Sequence, residues 1–220
     1  SASPSMPGMR KSLTTADVTL DLTNSALAIP ILHLGKQAGQ AAAGHVTVNF
    51  GSGDMIRDEA IRITGPNVAA IGIASFDRNG SLSVLNFASV KMGALNDLSF
   101  VLTRSAAGDD YVLRGHSMDG SLIGRNVGET GGASGNQPQR DDTPTGQFHI
   151  DARLDRLAMR DGVAIAPFNL DLAGVGNKPS ALTLSGGIGK ASISGNIEAS
   201  LTGRKLTLAA GDAGQLIQGP

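Results

Sequence analysis

The chain contains no cysteine and no tryptophan, and aromatic residues make up only 3% of it. Without cysteine it can form neither a disulfide framework nor a zinc site of thiolates, and passage through an oxidising compartment would not affect it. The scarcity of aromatic rings argues against sites that stack sugars or bases. Hydrophobic residues still reach 40% of the sequence, so the surface that this chain buries is aliphatic.

Neither sign of charge is in excess. The 18 basic and 19 acidic residues give a formal net charge of -1. This balance argues against a nucleic-acid-binding protein, which needs a basic face, and against a polybasic membrane patch. No apolar run approaches the roughly 20 residues of a membrane-spanning helix. Residues 1–12 are predicted to be a disordered tail or a cloning remnant, and the helix-like start at residues 211–217 suggests truncation of a longer protein.

The sequence shows no recognisable catalytic constellation. None of the four histidines (His33, His45, His116 and His149) has another within two to four positions, so no local metal-ligand spacing exists. His149 and Asp151 share one face of a predicted strand, and we interpret them as residues of a solvated polar face. Asp17 and Asp21 are about 13 Å apart on an extended strand, too far to act as a carboxylate pair.

One glycine-rich segment, residues 186–192, has some features of a phosphate-binding loop. A Walker A loop needs a glycine where this chain has Leu184, and Ser or Thr where it has Ala191. The dinucleotide fingerprint fails as well, because Ser192 replaces its third glycine. No Gly-x-Ser-x-Gly elbow occurs. We therefore predict a glycine-rich hairpin turn here, and neither an enzyme, a cofactor site nor a metal site.

The dominant pattern is strict alternation of apolar and polar residues, which is typical of strands in an antiparallel sheet with one wet face. The 30 glycines fall largely between these runs, with turn signals at residues 51–54, 65–67, 77–80, 107–110, 174–177 and 186–187. The pattern predicts an all-β fold of a dozen or more strands with few short helical turns, one of them at residues 117–123. A polar, glycine-rich loop at residues 126–145 divides a first β segment (13–125) from a second (146–220).

The apolar positions of these strands are predicted to share one face of the sheet. They are Val18, Leu20, Val46, Val48, Ile61, Ile63, Ile71, Ile73, Phe100, Leu102, Ile150, Leu154, Leu170, Leu172, Leu182 and Leu184. Alternation by itself favours a sealed core, because any β-sandwich needs the same pattern. A groove open to hydrocarbon is the other interpretation.

Several segments, taken in order, resemble the AsmA-like family of bacterial envelope proteins, in its DUF3971 (YhdP-related) branch. The resemblance covers most of residues 13–218. The segments are Asp17–Thr23 (DVTLDLT), Ile61–Gly72 (IRITGPNVAAIG), Ala74–Leu82 (ASFDRNGSL), Leu113–Asp119 (LRGHSMD), Ile150–Met159 (IDARLDRLAM) and Ala210–Leu216 (AGDAGQL).

This resemblance implies an elongated, curled antiparallel sheet whose apolar groove holds phospholipid acyl chains in transit between inner and outer membrane. It implies a periplasmic location, with an inner-membrane anchor at the N-terminus of the full-length protein that this sequence lacks. The sixteen apolar residues would then line the groove. The alternative is a structural or protein-interaction β module with a sealed core. In either case, exposed edge strands are expected to favour self-association.

Overall fold

The computed structural model describes residues 14–29, 34–51, 55–121, 146–176, 178–200 and 203–211. The predicted tail and the predicted 126–145 loop lie outside these ranges, as does the helix-like start after Gly211. The strands are β1 (Thr15–Asp21), β2 (Leu27–Ile29), β3 (Leu34–Lys36), β4 (Ala43–Phe50), β5 (Ile56–Gly65), β6 (Val68–Phe76), β7 (Leu82–Met92), β8 (Asn96–Ser105), β9 (Gly108–Asp119), β10 (Gln147–Ala158), β11 (Ala164–Ile165), β12 (Phe168–Val175), β13 (Lys178–Ile188), β14 (Ala191–Ser200) and β15 (Gly203–Ala210).

The prediction of an all-β, curled sheet is confirmed. Thirteen of the strands form one open, curled sheet in the order β1-β4-β5-β6-β7-β8-β9-β10-β12-β13-β14-β15, with β11 paired to β10. The strands β2 and β3 form a separate hairpin. No α-helix occurs in the described ranges, and the single helical turn is of the 3-10 type at Arg160–Gly162.

The sheet is mixed rather than wholly antiparallel. Strands β9 and β10 pair in parallel, whereas every other pair in the order above is antiparallel. The chain thus forms two antiparallel meanders, β1–β9 and β10–β15, which are joined side by side. A parallel joint requires a crossover connection, and here β9 ends at Asp119 and β10 begins at Gln147.

The turn between β6 and β7 shows why the sequence folds as it does locally. The Asp77 carboxylate accepts hydrogen bonds from the backbone N–H groups of Asn79 and Ser81, at 2.8 and 2.9 Å. Gly80 has a φ of 77°, a left-handed conformation that glycine adopts without strain. The Asn-Gly signal therefore predicted this turn for the correct physical reason.

The hairpin turn predicted within residues 186–192 is present at Gly189–Lys190, but two local predictions are wrong. Gly186 and Gly187 lie inside β13 and not in the turn. A Cβ at Gly186 would lie 2.4 Å from Cγ2 of Ile165, so this glycine allows a close approach rather than a turn. Residues 117–119 continue β9 instead of forming a helical turn, because Met118 is buried in the core.

The core of the protein lies on one face of this single sheet. Buried side chains of the central strands β6 to β10 form a cluster with partly buried residues from β5, such as Ile61, and from β14, such as Ile193. These two strands are far apart in the strand order. The core cluster therefore extends along one face of the sheet from β5 to β14.

The β2–β3 hairpin is fixed by a buried cation. Lys36 is 3% exposed, and its ammonium donates to the carbonyl oxygens of Thr23, Ser25 and Gln37 at 3.3, 2.8 and 3.0 Å. Its three donors are thereby satisfied, which a buried cation requires. The lysine thus anchors the loop that follows β1 to the end of β3.

Candidate functional site

The strand registers define one continuous apolar face, which we call the inner face. Residues that pair across adjacent strands point to the same side of a sheet, so a single row can be followed from edge to edge. The central row is Val18, Val46, Ile61, Gly72, Phe87, Phe100, Leu113, Ala152, Leu170, Leu184, Gly195 and Leu208. Every member is aliphatic, a phenylalanine or a glycine.

The rows on either side have the same character. One is Ala16, Val48, Glu59, Ala74, Leu85, Leu102, Tyr111, Ile150, Leu172, Leu182, Ile197 and Leu206; the other is Leu20, Gly44, Ile63, Ala70, Val90, Leu98, Gly115, Leu154, Phe168, Gly186, Ile193 and Ala210. Glu59 is the one charged residue in the three rows. The inner face therefore provides apolar contact with almost no directional bonding.

Fourteen of the sixteen residues predicted to share a face do lie in these rows. The exceptions are Ile71 and Ile73, which the structure places on the opposite, outer face. In β6 the inner positions belong to Ala70, Gly72 and Ala74. Both faces of this strand are apolar, so alternation alone could not assign them. Small residues are needed inside because a Cβ at Gly72 would lie 2.5 Å from Cδ1 of Phe87.

Several residues at the centre of the inner face were missed by sequence reasoning. Phe87 and Val90 belong to it, but the register shifts between them, and this irregularity breaks the period of two. Leu113 pairs with Phe100, but Tyr111, Val112 and Leu113 are all apolar, so alternation alone does not assign its face.

Exposure of the inner face rises from the centre of the sheet to both edges. At the centre Phe100 is 1% exposed, whereas Val18 on β1 is 41% and Leu208 on β15 is 67% exposed. The intervening Val46, Ile61 and Leu184 are partly buried. The face is thus covered at its centre and exposed along both flanks.

The outer face is mostly polar outside β6 and carries ion pairs across the parallel β9–β10 joint. His149 on β10 contacts Asp110 on β9 through Nδ1 at 2.7 Å and Asp171 on β12 through Nε2 at 3.2 Å. Asp151 instead binds the guanidinium of Arg114. His149 and Asp151 therefore have separate partners and do not form an acid–base pair. This agrees with the interpretation of both as residues of a polar strand face.

The two carboxylates change the titration of His149. The hydrogen bond that His149 donates to Asp110 is the main cause that raises the pKa of His149; burial opposes this rise, and Asp171 adds to it. The Arg114 hydrogen bond lowers the pKa of Asp151. The imidazolium form of His149 thus links β9, which belongs to the first meander, to β10 and β12, which belong to the second.

We expect this contact to make stability depend on pH. The folded-state pKa of His149 is raised above the ordinary value of about 6.5. The stabilisation is therefore fully present below that pH and is lost as pH rises through the raised pKa. The side chain is 42% exposed, which limits the effect to less than about 1 kcal/mol. Urea unfolding of the parent and His149→Gln chains between about pH 5.5 and 8.5 measures it.

The matched control is His116→Gln. His116 also contacts a carboxylate, that of Asp155 at 3.0 Å, but both side chains are more than 70% exposed. At low pH, His116→Gln should lower the free energy of unfolding by less than His149→Gln does. An equal loss for His149→Gln at both ends of the pH range would contradict the assignment.

Within the described ranges, no group of three or more potential metal-binding side chains comes together. Among the same residues no helix has the length and apolar character to cross a membrane. A scan against models of known protein families found no match, and neither did searches of the curated proteins and of the solved structures.

Proposed function

We propose that the inner face binds the hydrocarbon chains of lipids and that the protein is not an enzyme. The observation that carries this proposal is the exposure gradient of one uninterrupted apolar face. Three rows of inner-face residues run from β1 to β15, and they are uncovered where Val18, Leu20, Leu206 and Leu208 lie. An exposed apolar surface that continues into a core is a typical ligand-binding or partner-binding surface.

The chemistry of the face suits an acyl chain. Burial of a hydrocarbon contributes ~0.8 kcal/mol per CH₂, so a chain of about 16 carbons needs on the order of 12 kcal/mol of apolar shelter to leave a bilayer. Aliphatic side chains supply this without directional contacts. A ligand held in this way can slide along the rows instead of occupying one fixed position.

The resemblance to AsmA-like proteins extends the proposal to a biological setting. In that setting the ligand is a phospholipid that moves between inner and outer membrane, and the chain is periplasmic, anchored to the inner membrane in the full-length protein. The support for this part is the order of the similar segments along the chain, from Asp17–Thr23 to Ala210–Leu216.

A structural or protein-interaction module is the second candidate. The observation that favours it is the tight closure of the centre, where Phe100 and Val90 are each 1% exposed. A sealed centre needs no ligand to stabilise it. The two candidates differ in what the uncovered flanks contact, which is hydrocarbon in the first and protein in the second.

A titration with a fluorescent long-chain fatty acid, cis-parinaric acid, tests the first candidate. We expect the parent chain to bind it and the Leu206→Asp/Leu208→Asp variant to bind it about tenfold more weakly, because two apolar contacts of the exposed flank are replaced by carboxylates. Both leucines are exposed on β15, so the fold should tolerate the change.

The matched control is Ile71→Asp/Ile73→Asp. These isoleucines are 45% and 50% exposed, but they lie on the outer face. Their replacement should leave fatty-acid affinity unchanged, which separates binding on the inner face from adsorption to any exposed apolar side chain. Equal losses in both variants, or no binding by the parent chain, would contradict the proposal.

A further inference from the structure

The main sheet ends in two strands, β1 and β15, whose outer edges have no partner among the described residues. On β1, Thr14 accepts a bond from Phe50 N and Leu22 N donates to Ala42 O, at 3.0 and 2.9 Å. Even-numbered residues therefore bond to β4. The N–H and C=O groups of Thr15, Asp17, Thr19 and Asp21 face away from the sheet.

On β15 the same reasoning gives the opposite numbering. Gly211 N donates to Ser192 O at 2.8 Å, and Gly211 continues the register in which Ala210 pairs with Ile193. Odd-numbered residues of β15 therefore bond to β14. The free backbone groups are those of Arg204, Leu206, Leu208 and Ala210.

We propose that β1 of a second copy adds to β15 in parallel, with Leu206 beside Val18 and Leu208 beside Leu20. In a parallel pair, a residue whose N–H and C=O groups point toward the neighbouring strand lies opposite a residue whose groups point away from it. The first residue bonds to the two chain neighbours of the second. Leu206 would thus bond to Asp17 and Thr19 of the second copy. The free groups of the two edges match in this arrangement.

The direction of the strands agrees with this pairing. Between β1 and β15 the sheet contains ten antiparallel steps and one parallel step, so the two edge strands run the same way. A second copy in the same orientation presents β1 parallel to β15, and its inner face continues that of the first. An antiparallel addition of β1 would turn the inner face of the second copy to the opposite side.

Charge favours the same register. On the outer face it places Lys205 beside Asp17. The β15 edge (Gly203–Ala210) as a whole contains two basic residues and no acidic one, with Arg204 on the side of Leu206 and Leu208. The β1 edge (Thr15–Asp21) contains two acidic residues and no basic one. The parallel joint between β9 and β10 is already built in this way, with Asp110 contacting His149 across it.

The competing edge contacts are less favourable or have a different outcome. Antiparallel pairing of two β1 strands about Thr19 would set Asp17 opposite Asp21, which repels. Pairing of two β15 strands would close at a dimer and would not involve β1. Closure of β15 onto β1 of the same chain would leave a monomer at every concentration.

Analytical ultracentrifugation over a concentration series, without lipid, tests the proposal. Because a head-to-tail contact does not close, the mean mass should rise with concentration beyond two chains. Leu206→Pro removes a free edge N–H without removing a bond to β14, and it should abolish the rise. Leu206→Ala keeps that N–H and should still associate.

Charge exchange gives the decisive comparison. The Asp17→Lys chain and the Lys205→Asp chain should each associate at least severalfold more weakly than the parent, and their mixture should recover association. A dimer that Asp17→Lys leaves unchanged would overturn the proposal, as would a monomer at all concentrations. Since no lipid is present, failure here leaves the fatty-acid titration to decide the proposed function independently.

Discussion

Replacement of Phe100 by alanine is expected to cost about 4 kcal/mol of unfolding free energy. The ring lies at the centre of the inner face, between Phe87 and Leu113 in the central row, and it is 1% exposed. It also packs obliquely on Tyr111, with ring centroids 6.3 Å apart. Removal of a phenylalanine from such a site loses its transfer free energy and leaves a cavity. Urea unfolding measures the loss.

The control for Phe100→Ala is Leu208→Ala in the same row. Leu208 is 67% exposed, so its truncation should change the free energy of unfolding by no more than about 0.5 kcal/mol. If the two variants lost similar stability, the centre and the flank of the inner face would be equally covered. The exposure gradient would then be wrong.

The second large effect is expected at Gly115. This residue lies on the inner face, between Leu98 and Leu154 in the row that runs from Leu20 to Ala210. A Cβ there would lie 2.5 Å from Cα of Leu98 and 2.6 Å from the carbonyl oxygen of Asp97. Because both atoms belong to the backbone, they cannot move aside as a flexible side chain would. Gly115→Val should therefore cost about 3 kcal/mol.

Gly146→Val is the matched control for this substitution. No atom lies within 4 Å of a Cβ built on Gly146, so valine there should be nearly neutral. Comparison of the two unfolding free energies separates a packing effect from the general effect of valine for glycine. A neutral Gly115→Val would show that β8 and β9 do not approach each other as closely as described.

The strand content and most of the inner face were predictable because the alternation is local. Val46, Ile63 and Leu170 each have polar neighbours on both sides in the sequence, so a period of two assigns their face without knowledge of the register. Ile71 and Ile73 have Gly and Ala as neighbours, and only the packing of Phe87 against Gly72 decides which side of β6 turns inward.

Long-range pairing was beyond local patterns. The parallel β9–β10 joint depends on how the two meanders meet, and nothing within either strand specifies a parallel partner. The contacts of His149 follow from this joint, because Asp110 is on β9 and Asp171 on β12. Sequence reasoning therefore identified His149 as a strand-face residue but could not find its partners.

The central claim, that hydrocarbon lies on the uncovered flanks of the inner face, is tested most directly by photo-crosslinking. A fatty acid with a diazirine near its methyl end would be irradiated with the protein, and labelled peptides would be mapped by mass spectrometry. We predict labels at Val18, Leu20, Leu206 and Leu208, displaced by unlabelled fatty acid. Labels that concentrate on the outer-face residues Ile71 and Ile73, or none that fatty acid displaces, would contradict it.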